Sequence, residues 1–203
     1  MEMLVVVAMV GGLTAVLAPA LWGMAQGSAL QQGGNLLISL IEQARQTAVS
    51  KNTMSALVLL ADAETEQDYR AFTLLEYGPE AGWTQVRDWQ HLPEGVMVDF
   101  SAGESSFLTN SPAVFPLLQP GQSHPPLRFQ GRPLLQEKGY AACIFMPSGA
   151  LQKSDLPAQL RLVSGFSGGN KVAYTHRLSS GKPANYFDVA IVGITGAVKV
   201  SRP

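Results

Sequence analysis

The sequence predicts an α+β fold, with a long N-terminal helix packed on an antiparallel β-sheet head. Three observations predict it. Residues 3–24 carry no charge. Apolar residues then recur at helical spacing as far as residue 48. From residue 55 the pattern shifts to short apolar and β-branched runs separated by Gly- and Pro-containing turns. The division that follows is an anchor helix over 1–24, an amphipathic helix continuing the same spine over 25–51, and a β-rich head over 52–203 with a Pro-rich excursion at 101–139.

The first stretch is 22 uncharged residues from Met3 to Met24. At about 1.5 Å per residue it reaches roughly 33 Å, enough to cross the hydrocarbon core of a bilayer. A cleaved secretory signal would carry a basic n-region. Here Arg45 is the first Lys or Arg in the chain, although Ala18-Pro19-Ala20 and Gly27-Ser28-Ala29 resemble cleavage sites. A soluble core helix would show a polar face, and this segment shows none. A membrane-spanning anchor is therefore the expectation, with Trp22 at the outer interface. Glu2 stands at the edge of the apolar run, where a carboxylate needs a partner or the interface. Pro19 lacks an N–H, and Gly11-Gly12 lacks side chains, so these three positions are expected to soften the helix.

Beyond Met24 the helix turns amphipathic. Leu36, Leu37, Leu40, Ile41, Ala44 and Ala48 form one stripe, and Glu42, Gln43, Arg45 and Gln46 take the other side. Gly33-Gly34 reads as a weak point between the membrane half and the packing half. Lys51-Asn52 reads as the stop, with a cation near the helix C-terminus.

The head begins with Ser55–Leu60, a buried strand, and Arg70–Tyr77, its partner, with a solvated acidic loop from Asp62 to Asp68 between them. Trp83–Trp89 and Val96–Phe100 read as strands joined by the turn Leu92-Pro93-Glu94-Gly95. Six of the 13 prolines fall between Pro112 and Pro133, so 101–139 reads as an irregular surface loop. Ala142–Met146 is a strand entering a turn at Pro147-Ser148-Gly149. Leu160–Val163 and Val172–Thr175 form a hairpin around the Gly-rich Ser164–Asn170. Phe187–Val200 reads as two strands about Thr195-Gly196.

Catalytic chemistry is not visible in the pattern. His91, His124 and His176 lack metal-ligand spacing. Ser148 is not in a nucleophile elbow, and Gly165–Gly169 is followed by neither Lys-Ser/Thr nor a helix, which argues against a phosphate cradle. No carboxylate pair stands out. Cys143 is the single cysteine, set in an apolar run, and reads as a buried inert thiol. The expectation is no catalytic residue, no metal site and no cofactor. A net charge of −1 gives no global field that would draw nucleic acid or acidic lipid.

The run Glu2-Met3-Leu4-Val5-Val6-Val7-Ala8-Met9-Val10, with Pro19 seventeen residues after Glu2, resembles the N-terminal helix of type IV pilins and pseudopilins. Leu40-Ile41-Glu42-Gln43-Ala44-Arg45-Gln46-Thr47-Ala48 is similar to the L-x-x-A-R-x-x-A segment of the H-type pseudopilins and FimT-like minor pilins (the GspH/FimT type). Phe145-Met146-Pro147-Ser148-Gly149 resembles their F-x-P-x-G turn, and Thr195-Gly196-Ala197-Val198-Lys199-Val200 their closing T-G-x-V-x-V hairpin. The start, the L-x-x-A-R segment and the L-P-x-G turn are also similar to the prepilin-like group called Verru_Chthon cassette protein D. The chain departs from the prepilin-type methylation motif at its start. The basic leader, the cleavage glycine, the phenylalanine and two further residues are absent, and Met1 precedes the glutamate. The expectation is a truncated reading of a longer gene, with a GTG valine codon taken as the start.

The resemblance implies a structural subunit of a type IV pilus or of a type II secretion-like pseudopilus. It would be held in the inner membrane by one span with its head in the periplasm. Implied partners are other pilin or pseudopilin subunits, membrane lipid and, for a longer precursor, prepilin peptidase. In that family the glutamate pairs with the N-terminal amine of a neighbouring subunit, and Glu2 is the matching residue. Two other readings remain open. One is a minor pilin that binds DNA through a basic tail, for which Lys199 and Arg202, with Lys171, Arg177 and Lys182, are thin support. The other is a membrane-anchored periplasmic binding module.

Overall fold

The computed structural model describes residues 2–61, 69–101, 103–109, 115–118, 125–129, 132–133, 139–153, 158–168 and 171–202. Within the first helix, side chains are described at Val6, Val7, Met9, Gly12 and from Gly27 onward. The acidic loop from Asp62 to Asp68, and His124, lie outside the described residues.

Helix α1 spans Glu2–Ser50. Among the described residues, no helix is long and apolar enough to cross a membrane, and the side chains of residues 13–26, on which the expected anchor mainly rests, fall outside them. In its C-terminal half five residues of the expected stripe, Leu37, Leu40, Ile41, Ala44 and Ala48, are buried, Leu36 is half-buried against them, and Leu30 extends the buried face. α1 ends as the sequence predicts. Asn52 takes φ +50°, the Thr53 N–H reaches the Ala48 carbonyl at 3.1 Å, and the Asn52 N–H reaches Val49 at 3.3 Å. This pair of bonds is a Schellman closure, in which Asn tolerates the left-handed position. Lys51 Nζ adds an ion pair with Glu76 at 2.7 Å.

Gly33 and Gly34 have a different role from the weak point expected of them. The helix runs through both without a break. A Cβ on Gly34 would stand 2.5 Å from the Phe187 ring, and one on Gly33 3.1 Å from Val96. The missing side chains let two strands of the head approach the helix backbone.

The head holds two antiparallel sheets. In the first, β1 (Ser55–Leu60) lies between β2 (Ala71–Gly78) and β8 (Tyr140–Phe145), and β2 also pairs β3 (Gly82–Gln85) and β4 (Gln90–His91). The expected strand Trp83–Trp89 is thus two short strands. Gln85 pairs Leu75 and Gln90 pairs Phe72, so the outer strand carries two residues more than its partner and bulges between them. Thr73 Oγ1 fills the gap by donating to the Arg87 carbonyl at 2.6 Å.

In the second sheet, β9 (Ala158–Ser167) pairs β11 (Tyr186–Ile191) on one side, with β5 (Val96–Val98) and β10 (Val172–Tyr174) sharing the other. β12 (Val198–Ser201) closes the far edge on β11. The β9–β10 hairpin is present, but its Gly-rich segment is strand as far as Ser167 rather than loop. Gly165 pairs Tyr174, and a Cβ there would meet the Ala173 carbonyl oxygen at 2.6 Å. Glycine permits that close crossing.

One core cluster joins the α1 stripe to Leu57, Leu59, Phe72 and Phe145 of the first sheet and to Leu160, Leu162, Phe187 and Val189 of the second. The opposite face of the first sheet is covered as well. Ala56, Val58, Leu75, Trp83 and Ile144 pack with Phe115 and Leu127. This corrects the reading of 101–139 as surface loop. Its described residues include helix α2 (Ser106–Thr109) and the hairpin β6 (Arg128–Phe129) with β7 (Arg132–Pro133), and Phe107, Phe115 and Leu127 are buried. Trp83 Nε1 donates to the Pro116 carbonyl at 2.8 Å, and its ring meets Phe115 edge-on at 4.9 Å. The covering explains why every residue of β1 is buried, whichever face it points to.

Candidate functional site

Three segments far apart in sequence meet where α1 enters the head. Arg45 Nε donates to the Thr195 carbonyl at 3.0 Å. Gly149 (φ +82°) ends the turn that follows β8, and Gly196 (φ +64°) sits in the turn between β11 and β12. A Cβ on Gly196 would fall on the Gly149 carbonyl oxygen and lie 3.1 Å from Arg45 Cδ, while one on Gly149 would lie 3.2 Å from Val49. The two turns therefore press on each other beneath the Arg45 side chain. The Leu151 N–H donates to the Gly193 carbonyl at 2.8 Å and ties the same two segments together. Ser55 Oγ donates to the Ala44 carbonyl at 2.5 Å in a buried position. Arg45 also faces Glu42 at 3.5 Å, a half-exposed pair that contributes little. The junction binds helix to head through backbone carbonyls and offers no group for acid–base or nucleophilic chemistry.

A second polar assembly stiffens the other sheet. Arg161 Nε and Nη2 donate to the two Asp188 carboxylate oxygens at 2.7 and 2.8 Å. Arg161 Nη1 pairs with Glu104, and the guanidinium lies 4.3 Å above the Tyr186 ring. The hydrogen bonds to Asp188 hold the guanidinium more firmly protonated than usual, against the opposing effect of burial. Ser105 Oγ accepts from the Arg161 N–H at 3.1 Å and donates to the Asp99 carbonyl at 2.7 Å. Ser106 Oγ accepts from the Gln159 N–H at 2.9 Å. These hydroxyls occupy the edge of β9 that β5 leaves unpaired. Asp99, fully buried, accepts from the Ser101 N–H and from the Tyr174 hydroxyl, both at 2.9 Å. Sequence reasoning missed this assembly. The signal was the alternation Gln159-Leu160-Arg161-Leu162 opposite Asp188, which becomes a cross-strand pair only once β9 and β11 are known to be neighbours.

The positions expected to matter for assembly lie on α1. The helix continues through Gly11, Gly12 and Pro19, Gly12 is exposed, and the side chains of Glu2 and Pro19 lie outside the described residues. The five cations of the DNA reading do not form one group. Lys171, just before β10, and Arg177, after its end, line an open pocket with Phe100, Ser101 and Tyr174. Lys182 lies in the turn beyond, where its carbonyl accepts the Leu178 N–H. Lys199 is exposed on β12, and Arg202 lies 4.7 Å above the Phe187 ring. β10 and β12 are the opposite edges of the sheet, separated by β9 and β11. His91 and His176 are exposed, and no group of three or more His, Cys, Asp and Glu suited to a metal ion occurs among the described residues. Cys143 is buried, and burial pushes its thiol well above the usual range.

The fold, a helix running into an antiparallel two-sheet head, is similar to that of a solved type IV minor pilin. Among solved structures, the chain is similar to the type IV minor pilin FimU of Pseudomonas aeruginosa PAO1, with a TM-score of 0.50 at 10% identity over 89% of this chain and 96% of that one. A second crystal form of FimU gives a TM-score of 0.48 at 11% identity, covering 86% and 97%. The minor pseudopilin EpsH from the type 2 secretion system of Vibrio cholerae gives 0.46 at 13% identity, covering 86% and 97%. No family model matches the sequence, and no curated protein matches it.

Proposed function

We propose that the chain is a non-catalytic subunit of a type IV pilus or type II secretion-like pseudopilus, anchored in the inner membrane by residues 3–24 with its head in the periplasm. One observation carries this reading. A single helix begins at Glu2, passes through 22 uncharged residues, and buries its last third in a head with the fold of a minor pilin. A neighbouring subunit meets that helix through the apolar run, and Glu2 pairs with the neighbour's terminal amine. A buried charge pair of this kind fixes register more than it adds cohesion, which comes from apolar packing of the helices.

The test is fractionation followed by crosslinking in the native host. The chain is expected in the carbonate-resistant membrane pellet, crosslinked to other pilin-like proteins. Crosslinks that contain no pilin-like partner would favour the membrane-anchored binding module instead. The separation of Lys171 and Arg177 from Lys199 and Arg202 gives the DNA-binding reading no contiguous patch, and we do not adopt it.

A further inference from the structure

We propose that the tip of the β9–β10 hairpin rests in the membrane–water interface, with Phe166 inserted among the lipids and Lys171 on the phosphates of an anionic leaflet. The proposal rests on the membrane-anchored reading of α1 given above.

The argument is one of level along the helix. At the upper end, Arg45 contacts the turn after β11, whose last residue, Ile191, pairs Ala158 at the start of β9. Lower down, Gly33 lies against Val96, which pairs Ser164 of β9. From Arg45 to Gly33 the helix descends about 18 Å, and from Ala158 to Ser164 the strand covers about 20 Å. β9 and α1 therefore run alongside each other. Continuing from Ser164 to Gly168 adds about 13 Å, which brings the hairpin tip to about the level of residues 24–27 of the helix. That is the outer edge of the apolar run, where the chain turns polar after Met24.

The chemistry of the tip suits that level. Leu160 and Leu162 are on the α1-facing side of β9 and are fully buried; by alternation Phe166 is on the same side, past the end of the core, and is 65% exposed. The Gly168 N–H donates to the Lys171 carbonyl at 2.9 Å and closes the turn, leaving the Lys171 side chain exposed. An exposed aromatic beside a lysine, at the depth where hydrocarbon gives way to headgroups, is the arrangement an interface favours. Lys171 extends its apolar stem along that boundary with the ammonium at the phosphates. A protein partner at this site would have to share the level with the membrane surface.

The full chain is reconstituted in vesicles of phosphatidylethanolamine and phosphatidylglycerol. A fluorophore is placed by Gly168→Cys, exposed at the same tip, so that Phe166 is kept, and, in a second preparation, by Glu80→Cys in the β2–β3 turn at the opposite end of the head; buried Cys143 stays unlabelled. Lipids bearing a headgroup nitroxide serve as the quencher. Strong quenching at position 168 and little at position 80 is expected. Adding Lys171→Gln, or using phosphatidylcholine alone, should weaken the interfacial association roughly fivefold. A chain that stays in the carbonate-resistant pellet with position 168 unquenched would overturn the interfacial tip and leave anchoring intact. Quenching equal at both positions would also overturn it. A chain extracted by carbonate would remove the anchor and the tip proposal together.

Discussion

Gly196 shows how single atoms decide the junction. Its φ of +64° disfavours any side chain, and an added Cβ would meet backbone rather than a movable side chain. Gly196→Ala should therefore lower the stability of the head by about 1–3 kcal/mol, measurable by urea denaturation. Arg161 carries a comparable weight by electrostatics. Its side chain is 14% exposed and faces two carboxylates. Arg161→Met would leave Asp188 and Glu104 without their cation, and the expected loss is about 3–5 kcal/mol. The double variant with Asp188→Asn should recover part of it, which a thermal melt of both proteins would reveal. The titration of buried groups points the same way at alkaline pH. Burial raises Cys143 and is the leading cause for Tyr140 and Tyr174. The unfolded chain then loses those protons first. The stability that these three groups contribute should be level below about pH 8.5 and fall as pH rises beyond it, and Cys143 should react with a thiol reagent only on unfolding.

At the scale of elements, the helix stripe and most strands could be read because their burial follows a single period. The α1 residues from Leu37 to Ala48 face one core, and β1 with β2 shows a continuous apolar run ended by Gly78-Pro79. Elements with composite causes could not be read. The strand after Gly82 splits because two extra residues bulge against Thr73, a count visible only against the partner strand. The glycines of Ser164–Asn170 suggest a loop until Ala173 is placed against Gly165. The Pro-rich 101–139 segment hides its role because, among the described residues, the large apolar side chains it buries, Phe107, Phe115 and Leu127, are widely spaced, with no periodicity to announce them. Its packing can be tested directly. Phe115→Ala removes the ring that meets Trp83 edge-on, so the head should lose about 3 kcal/mol and Trp83 fluorescence should shift toward that of an exposed indole.

For the whole molecule, three of the four segments that resemble pilin-like proteins are separate in sequence and meet at one place. The L-x-x-A-R segment, the F-x-P-x-G turn and the T-G hairpin converge on Arg45, Gly149 and Gly196. The meeting gives each residue a physical reason: an arginine long enough to cross two turns, and two turns that need glycine. The polar assembly around Arg161 had no such signature, because its members are joined only by strand order. The junction ties the C-terminal part of α1 to both sheets of the head. The proposed function makes the helix the assembling part and Glu2 its specific contact. The most direct test is a Glu2→Ala substitution in the native host, with recovery of the chain in filaments sheared from the cell surface or extruded pseudopili measured against its level in the membrane. The account predicts an unchanged membrane level and a marked loss from filaments. Recovery in filaments equal to the unsubstituted protein would contradict it.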